Sequence, residues 1–201
     1  GTVTQPAAGE SDVQVGLTAT LTLGDVTDTK NFTLTVKAEI SGQVTYTETF
    51  DNCSATASYA DGSFIGVNGV TWSYTHARDV DTFNIDDKGI MLRRASDSLL
   101  SATFEGGLVE FSFQYRKAYT GTSVRQLEIT VTDQNNESIT LTTEKFGTIS
   151  GEETDVYTFT CSEENLGVLD LTGPITIEIK NVGSTTTNKQ TIIDNFTWTE
   201  E

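Results

Sequence analysis

The segment from residue 108 to residue 116 alternates strictly between two kinds of side chain, and this pattern restricts the chain to a small set of folds. One parity is apolar and comprises Val109, Phe111, Phe113 and Tyr115. The opposite parity is mostly polar and includes Glu110, Gln114 and Arg116. A period of two residues is typical of a β-strand with one buried face. We therefore predict a central strand here, with its aromatic side chains in a core.

The same alternation recurs along the chain in short runs bounded by Gly, Asn or Asp, at residues 70–76, 89–94, 125–132, 138–143, 156–161 and 175–180. The abundant threonines favour antiparallel sheets with one face in water, because Thr is β-branched and polar. No segment sustains a helical period, and residues 162–166 suffice for only a single helical turn. The sequence predicts an all-β fold, an antiparallel β-sandwich of jelly-roll type.

The charge of the chain limits the partners that we expect for it. The sequence has 12 Lys and Arg against 29 Asp and Glu, a formal net charge of −17. Such a surface repels phosphate backbones, so we predict no direct nucleic-acid binding. It is compatible with divalent cations and with neutral ligands such as glycans. We also expect neither a membrane span nor a signal peptide, because no long apolar run or charged-then-apolar leader is present.

Residues 1–38 predict a β-hairpin. Leu17, Leu21 and Leu23 alternate with threonines, Gly24-Asp25 marks a turn, and Phe32 begins the returning apolar parity. The pattern resembles the C-terminal half of the bacterial Ig-like repeats found in surface and secreted proteins. It covers about half of a full domain, so the remaining strands lie upstream, or the block packs on the next domain, or a neighbouring molecule completes it. We interpret residues 39–46 as a linker.

Residues 47–201 carry a second resemblance. Its motifs are Glu-Thr-Phe-Asp-Asn at 48–52, Trp72, Gly-Ile-Met-Leu-Arg at 89–93, the Phe-Ser-Phe-x-Tyr strand, and Ile-Asp-Asn-Phe-x-Trp at 193–198. They resemble the jelly-roll accessory modules of secreted bacterial enzymes, which include carbohydrate-binding modules. The resemblance implies an extracellular or cell-surface location. It also implies a function in which the module binds a polysaccharide or cell-surface glycan and so tethers an enzyme or a cell.

A structural calcium ion is the cofactor that this resemblance implies. A jelly roll brings its first and last strands side by side, so Glu48 and Asp51 are expected near Asp194. Ca²⁺ needs six or more oxygen ligands, and backbone carbonyls would supply the remainder. A second acidic run at residues 79–89 departs from the EF-hand pattern, and we interpret its end as a turn before the next strand.

A candidate glycan site follows from strand parity. Gln114 and Arg116 face away from the predicted core, and Arg93 lies on a strand expected beside them. Arg78 and Tyr119 complete the predicted set. Glycan sites on β-sandwiches combine aromatic platforms with side chains that hydrogen-bond sugar hydroxyls. The alternative is that these arginines form a solvated face.

The sequence gives little support for catalysis. His76 is the only histidine, no nucleophile motif is present, and the many carboxylates single out no pair. We therefore predict a protein that is not an enzyme. The alternative function is structural: a subunit of a surface adhesin or filament that self-associates by strand addition through its N-terminal strands. The two cysteines, Cys53 and Cys161, allow one intramolecular disulfide.

Overall fold

The computed structural model describes residues 4, 6, 11–36, 42–79, 83–94, 97–182 and 189–200. The chain divides into two units, Gly1–Gln43 and Val44–Glu201. The second unit begins inside the segment that we interpreted as a linker. Its first strand starts at Val44 because this residue pairs with Glu200 on the last strand.

The first unit contains the predicted hairpin. Strands β1 (Val13–Leu23) and β2 (Val26–Val36) pair antiparallel over their whole length, with Leu23 opposite Val26 next to the turn. Gly24 has a positive φ of 61°, which glycine adopts at no steric cost. The alternation of leucines and threonines therefore forms the two-stranded block that the sequence predicts.

The second unit is built from antiparallel strands, as predicted. The strands in the described residues are β3 (Val44–Glu48), β4 (Ala60–Ile65), β5 (Thr71–Asp79), β6 (Ile90–Leu92), β7 (Leu99–Phe104), β8 (Glu110–Lys117), β9 (Leu127–Thr132), β10 (Ser138–Thr142), β11 (Tyr157–Cys161), β12 (Ile175–Asn181) and β13 (Thr191–Glu200). A 3₁₀ turn at Val67–Gly69 precedes β5. The helical turn expected at residues 162–166 is present as α1 (Glu163–Leu166).

The strands form two layers. One layer has the order β4-β5-β7-β12-β9-β10, and the other contains β3, β13, β8 and β11. Strand β6 pairs with both β5 and β13 and so joins the layers at one side. The first and last strands of the unit, β3 and β13, are neighbours, as a jelly roll requires.

Aromatic side chains from both layers meet in a shared core, which makes the unit a β-sandwich. Trp72 of β5 lies 5.0 Å from Phe196 of β13 between ring centroids, and Phe104 of β7 lies 5.2 Å from Trp198. The apolar parity of β8 also enters this core, which we call the main core. The predicted central strand is therefore confirmed. Mixed edge-to-face and stacked ring contacts of this kind add to the stabilisation from burial.

Strands β4 and β7 are absent from the sequence prediction. Strand β4 contains Gly62 and Ser63 and buries only Phe64, so its apolar alternation is too short to detect. Strand β7 uses the small residues Ser101 and Ala102 at its centre, which weakens its pattern. Both strands pair with β5, and this pairing determines their conformation.

The two cysteines do not form the disulfide that the sequence allows. Cys53 and Cys161 are free and buried, and both belong to the main core. Burial raises the pKa of the Cys161 thiol to about 12, so it remains protonated and behaves as a small apolar side chain.

Candidate ligand-binding and metal sites

Several loops of the second unit meet at one end of the sandwich. Ala60, at the start of β4, pairs with Ala77 near the end of β5, which also pairs with Leu92 at the end of β6. Thr191, at the start of β13, pairs with both Leu92 and Lys117 at the end of β8. The residues that flank these positions are thereby brought together, although they are distant in sequence.

We call the surface formed there the loop-end patch, which comprises Tyr59, Arg78, Phe83, Arg93 and Tyr119. The Tyr59 ring lies at its centre, with the guanidinium carbons of Arg78 and Arg93 at 5.4 and 5.7 Å from the ring centroid. The rings of Phe83 and Tyr119 are 4.9 Å apart. All five side chains are partly exposed. The patch therefore combines aromatic faces with hydrogen-bond donors.

The patch rests on a small hydrophobic cluster that is separate from the main core. Met91, Ala118 and Ile192 are fully buried there, beneath Tyr59 and Tyr119. The Tyr59 hydroxyl lies 3.4 Å from the Met91 sulfur. Burial raises the pKa of Tyr59, so its hydroxyl stays protonated at neutral pH. The rings of the patch therefore pack on a buried apolar support.

Arg78 has one unused donor within the patch. Its Nη1 donates a hydrogen bond to the Ala57 carbonyl at 3.0 Å, which orients the guanidinium. Its Nε is buried and has no acceptor in the described part of the chain. A buried donor without a partner is costly unless a ligand or water satisfies it.

Three of the five residues predicted to bind a ligand lie in the loop-end patch, and two do not. Gln114 accepts a hydrogen bond from Asn195 Nδ2 at 2.9 Å on the face of β8, away from the patch. Arg116 is buried, and its guanidinium donates to the carbonyls of Asn84 at 2.8 Å and Glu153 at 3.0 Å. Arg116 therefore anchors the two loops that contain Asn84 and Glu153. Strand parity predicts that its side chain is exposed, but the segment at residues 147–153 covers this face of β8.

Tyr59 and Phe83 belong to the patch but were not predicted. Tyr59 precedes β4 in a polar segment without periodicity, and Phe83 lies in the acidic run at residues 79–89. Neither position carries a sequence signal that separates it from an ordinary loop residue. Their contacts with the other patch residues become visible only in the structure, where the strand register places the loops side by side.

A buried arginine holds the loops that carry the patch. Arg125 is fully buried, and its guanidinium donates to four carbonyls at 2.8–3.2 Å, those of Ala118, Ser123, Gly147 and Gln190. Burial lowers the pKa of Arg125, but a guanidinium stays charged at neutral pH. The same residue thus fixes the loop that leads to Tyr119 and the start of β13.

The predicted metal ligands are only partly brought together. Glu48 is buried, and its two carboxylate oxygens accept hydrogen bonds from the backbone N–H groups of Phe50 at 2.9 Å and Val67 at 2.8 Å. The Glu48 carboxylate therefore holds the chain after β3 in place, and each of its oxygens already accepts a backbone hydrogen bond. Within the described ranges, no three acidic, histidine or cysteine side chains converge closely enough to hold a metal ion.

Asp194 and Asp51 lie within electrostatic range of each other. A β-bulge between Asp194 and Thr197 interrupts the pairing of β13 with β8, and the Asp194 side chain is fully buried there. Its oxygens accept hydrogen bonds from the N–H groups of Asn195 at 2.8 Å and Asp86 at 3.3 Å. Burial, together with smaller contributions from the charges of Asp51 and Asp86, raises the pKa of Asp194 to about 7. No cationic side chain in the described residues pairs with it. Burial and the acidic neighbours therefore both disfavour the charged form of Asp194.

Replacing Gly66 with alanine should destabilise the second unit by about 3 kcal/mol, because the structure has no room for a side chain there. A Cβ at this position would lie 1.9 Å from Glu48 Oε2 and 2.8 Å from Trp72 Cδ1. Urea unfolding followed by tryptophan fluorescence measures the effect. Gly167→Ala is the matched control, because its Cβ would meet nothing closer than 3.5 Å. Equal stability of the two variants would contradict the tight packing around Glu48.

A polar cavity lies at the opposite end of the sandwich. The cavity has a volume of about 340 Å³ and opens on the outer face of β5 and β7. The side chains that line it are small or acidic and include Asn68, Thr71, Ser73, Ser101, Thr103, Glu105 and Glu200. None of its lining residues is aromatic. This cavity offers hydroxyl and carboxylate groups but no aromatic ring.

The N-terminal unit matches a known family. The family described as "Atrophied bacterial Ig domain" matches residues 1–39. The resemblance to part of an Ig-like repeat is therefore confirmed for this block. Among curated protein sequences, none matches the chain significantly. No helix in the described residues is long and apolar enough to cross a membrane.

Solved structures with a similar arrangement of strands include carbohydrate-binding modules and adhesin domains. TmCBM61, solved in complex with β-1,4-galactotriose, has a TM-score of 0.45 at 11% identity, over 76% of this chain and 94% of that one. The CBM36-1 domain of a xylanase from the hindgut metagenome of Trinervitermes trinervoides has a TM-score of 0.39 at 13% identity, over 80% and 98%. The K3 cleaved adhesin domain of Lys-gingipain from Porphyromonas gingivalis W83 has a TM-score of 0.49 at 11% identity, over 80% and 100%.

Proposed function

We propose that the chain is a non-catalytic, extracellular binding module that holds a neutral polysaccharide or cell-surface glycan at the loop-end patch. The observation that carries this proposal is the convergence of Tyr59, Phe83 and Tyr119 with the guanidinium groups of Arg78 and Arg93. Aromatic faces pack against the C–H face of a sugar ring, while arginines donate to its hydroxyls. Binding to such a polymer would tether an enzyme or a cell to it.

The donors of the patch favour a ligand rich in oxygen acceptors. Arg78 Nε has no acceptor among the described residues, and the Tyr59 hydroxyl, whose pKa is raised by burial, is a neutral donor. The whole chain has a net charge of −17, which disfavours strongly anionic polymers even though the patch has two arginines. Neutral glycans satisfy the donors without that repulsion.

The loop-end patch is a better glycan site than the polar cavity at the other end. The cavity is lined by threonines, serines and two glutamates, and these groups hydrogen-bond water as well as they hydrogen-bond sugars. Without an aromatic face, a sugar gains little there from apolar contact. The partly exposed rings of the patch supply that gain.

We propose a structural calcium ion at Asp194 as the second element of the function. Asp51, whose charge acts on Asp194, is the candidate co-ligand. Glu48 contributes indirectly, because its carboxylate positions the backbone at Phe50 and Val67. A cation there would offset the charge of a carboxylate that is buried without a cationic partner. It would also hold the bulge of β13 against the loop that contains Asp86.

The location of Asp194 also favours a binding function over a hydrolytic one. A carboxyl group with a pKa near 7 suits general acid catalysis, but Asp194 has no exposed surface through which to reach a substrate. The raised pKa of Asp194 therefore reflects the cost of burying its carboxylate charge, which a bound cation would lower.

A glycan array tests the proposed function directly. We expect the wild-type chain to bind a set of neutral glycans, and we expect Arg93→Ala and Tyr119→Ala to weaken binding at least tenfold, as loss of a central contact does. Thr140→Ala, on an exposed position of β10, is the control and should bind normally. No binding to any glycan, or equal binding by all four proteins, would contradict the proposal.

A further inference from the structure

The N-terminal hairpin has one apolar face and one threonine face. The register places Leu17 opposite Phe32 and Leu23 opposite Val26 on the same face. The residues of this apolar face are Val13, Val15, Leu17, Ala19, Leu21, Leu23, Val26, Phe32, Leu34 and Val36, with Asp28 and Lys30 between them. The opposite face is polar and carries Thr18, Thr20, Thr22, Thr27, Thr29, Thr33 and Thr35.

Large side chains of the apolar face are exposed among the described residues. Leu21 is 73% exposed, Leu23 is 82% exposed and Phe32 is 56% exposed. A two-stranded hairpin is only marginally stable in water without a second layer against its apolar face. Contiguous exposed apolar surface of this kind marks an interaction site. The threonine face shows which side is built for solvent, so the missing layer belongs on the leucine face.

The charges on this face indicate which partner covers it. Asp28 and Lys30 lie two residues apart on β2, and they are the only charged residues on the apolar face. A copy related by a two-fold axis can place its Lys30 near the first copy's Asp28, and its Asp28 near the first copy's Lys30. A face with one charge of each sign is thus complementary to itself, as an isologous interface requires.

The size of the face fits a weak, reversible dimer. Two strands of 11 residues form a surface about 37 Å long and roughly 10 Å wide. Two such faces have a combined planar area of roughly 700 Å², which is below a standard specific interface and in the range of weak, transient contacts. Association is therefore expected to depend on concentration in the micromolar range.

We propose that the hairpin of one copy packs its leucine face against that of a second copy, forming a four-stranded, two-layer sandwich. This interface differs from strand addition, which would pair the free backbone edges of β1 or β2 and leave the leucine face exposed. It also goes beyond glycan binding, because a dimer would present two loop-end patches and increase avidity for a polymer with repeated sugars.

Sedimentation equilibrium of the whole chain over a range of concentrations tests this interface. We expect the wild-type chain to dimerise reversibly, and we expect the double variant Leu17→Thr, Phe32→Thr to weaken dimerisation at least tenfold. The matched control is Thr18→Ser, Thr33→Ser on the threonine face, which should behave as wild type. A wild-type chain that stays monomeric at every concentration would overturn the proposal.

Reversing the charges of Asp28 and Lys30 tests whether a second copy covers the leucine face, and it leaves the apolar residues of that face unchanged. Asp28→Lys places two lysines on each face and Lys30→Asp places two aspartates, so each variant alone should dimerise at least tenfold more weakly. An equimolar mixture of the two should form heterodimers, and the double variant Asp28→Lys, Lys30→Asp should dimerise as wild type. Dimers that do not respond to these changes would overturn face-to-face packing. Dimers formed by strand addition are expected to be insensitive to these charge reversals.

Discussion

Replacing Arg125 with methionine should lower the free energy of unfolding of the second unit by about 4 kcal/mol. The guanidinium is fully buried and satisfies the carbonyls of Ala118, Ser123, Gly147 and Gln190. Methionine has a similar length but no donor, so these buried acceptors would lose their partners. Urea unfolding measures the effect through the two tryptophans, both of which are buried in this unit.

Two further variants separate the hydrogen bonds of Arg125 from its charge and volume. Arg125→Lys keeps the charge but lacks the planar fork, so it should recover only a small part of the loss. Arg78→Met removes a partly exposed arginine that has one hydrogen bond to a backbone carbonyl, and it should cost less than about 1 kcal/mol. A small effect of Arg125→Met, comparable to that of Arg78→Met, would show that the loops do not depend on this residue.

In excess chelator, the second unit should lose roughly 4 kcal/mol of stability as the pH rises from about 4 to 8. The pKa of Asp194 is raised from 3.8 to about 7 in the folded chain, mainly by burial. The folded state thus binds this proton more tightly than the unfolded state. Its stabilising contribution is present below the unfolded pKa and disappears as the pH rises through 7.

Calcium should reverse this loss, because an ion that binds only the folded chain stabilises it by mass action. We expect a higher melting temperature with calcium than with chelator at pH 7.5. Asp194→Asn should abolish both the stabilisation by calcium and most of the loss of folding stability between pH 4 and 8. A wild-type melting temperature that is the same with calcium and with chelator would exclude a structural calcium ion. A flat pH profile in chelator would contradict the buried carboxylate itself.

Much of the fold follows from local pattern, and the hairpin and β8 show why. Leu17 and Phe32 alternate with polar residues, as Phe111 and Phe113 do, so the apolar parity of each strand is visible in the sequence. Strand β4 escapes detection because Gly62 lies under the Tyr74 ring and leaves the strand with little apolar content. Its conformation depends on pairing with β5, which is a tertiary contact.

The candidate site was predictable only in part because it is formed by loops. The adjacency of Asp51 and Asp194 follows from the pairing of the first and last strands, which any jelly roll shares. By contrast, parity predicts that Arg116 is exposed, and a distant loop buries it through Glu153. Tyr59 acquires its arginine neighbours from two other segments of the chain, and no local pattern encodes that arrangement.

Chemical-shift mapping of the best array ligand on the ¹⁵N-labelled chain tests the central claim most directly. If the glycan binds at the loop-end patch, amide shifts should change at residues 57–59, 83–93 and 118–121, and saturate with one affinity. The polar cavity at the opposite end should remain unchanged. Shifts confined to Asn68, Thr71, Thr103 and Glu200, with none near Tyr59, would place the ligand in that cavity and contradict the proposed site.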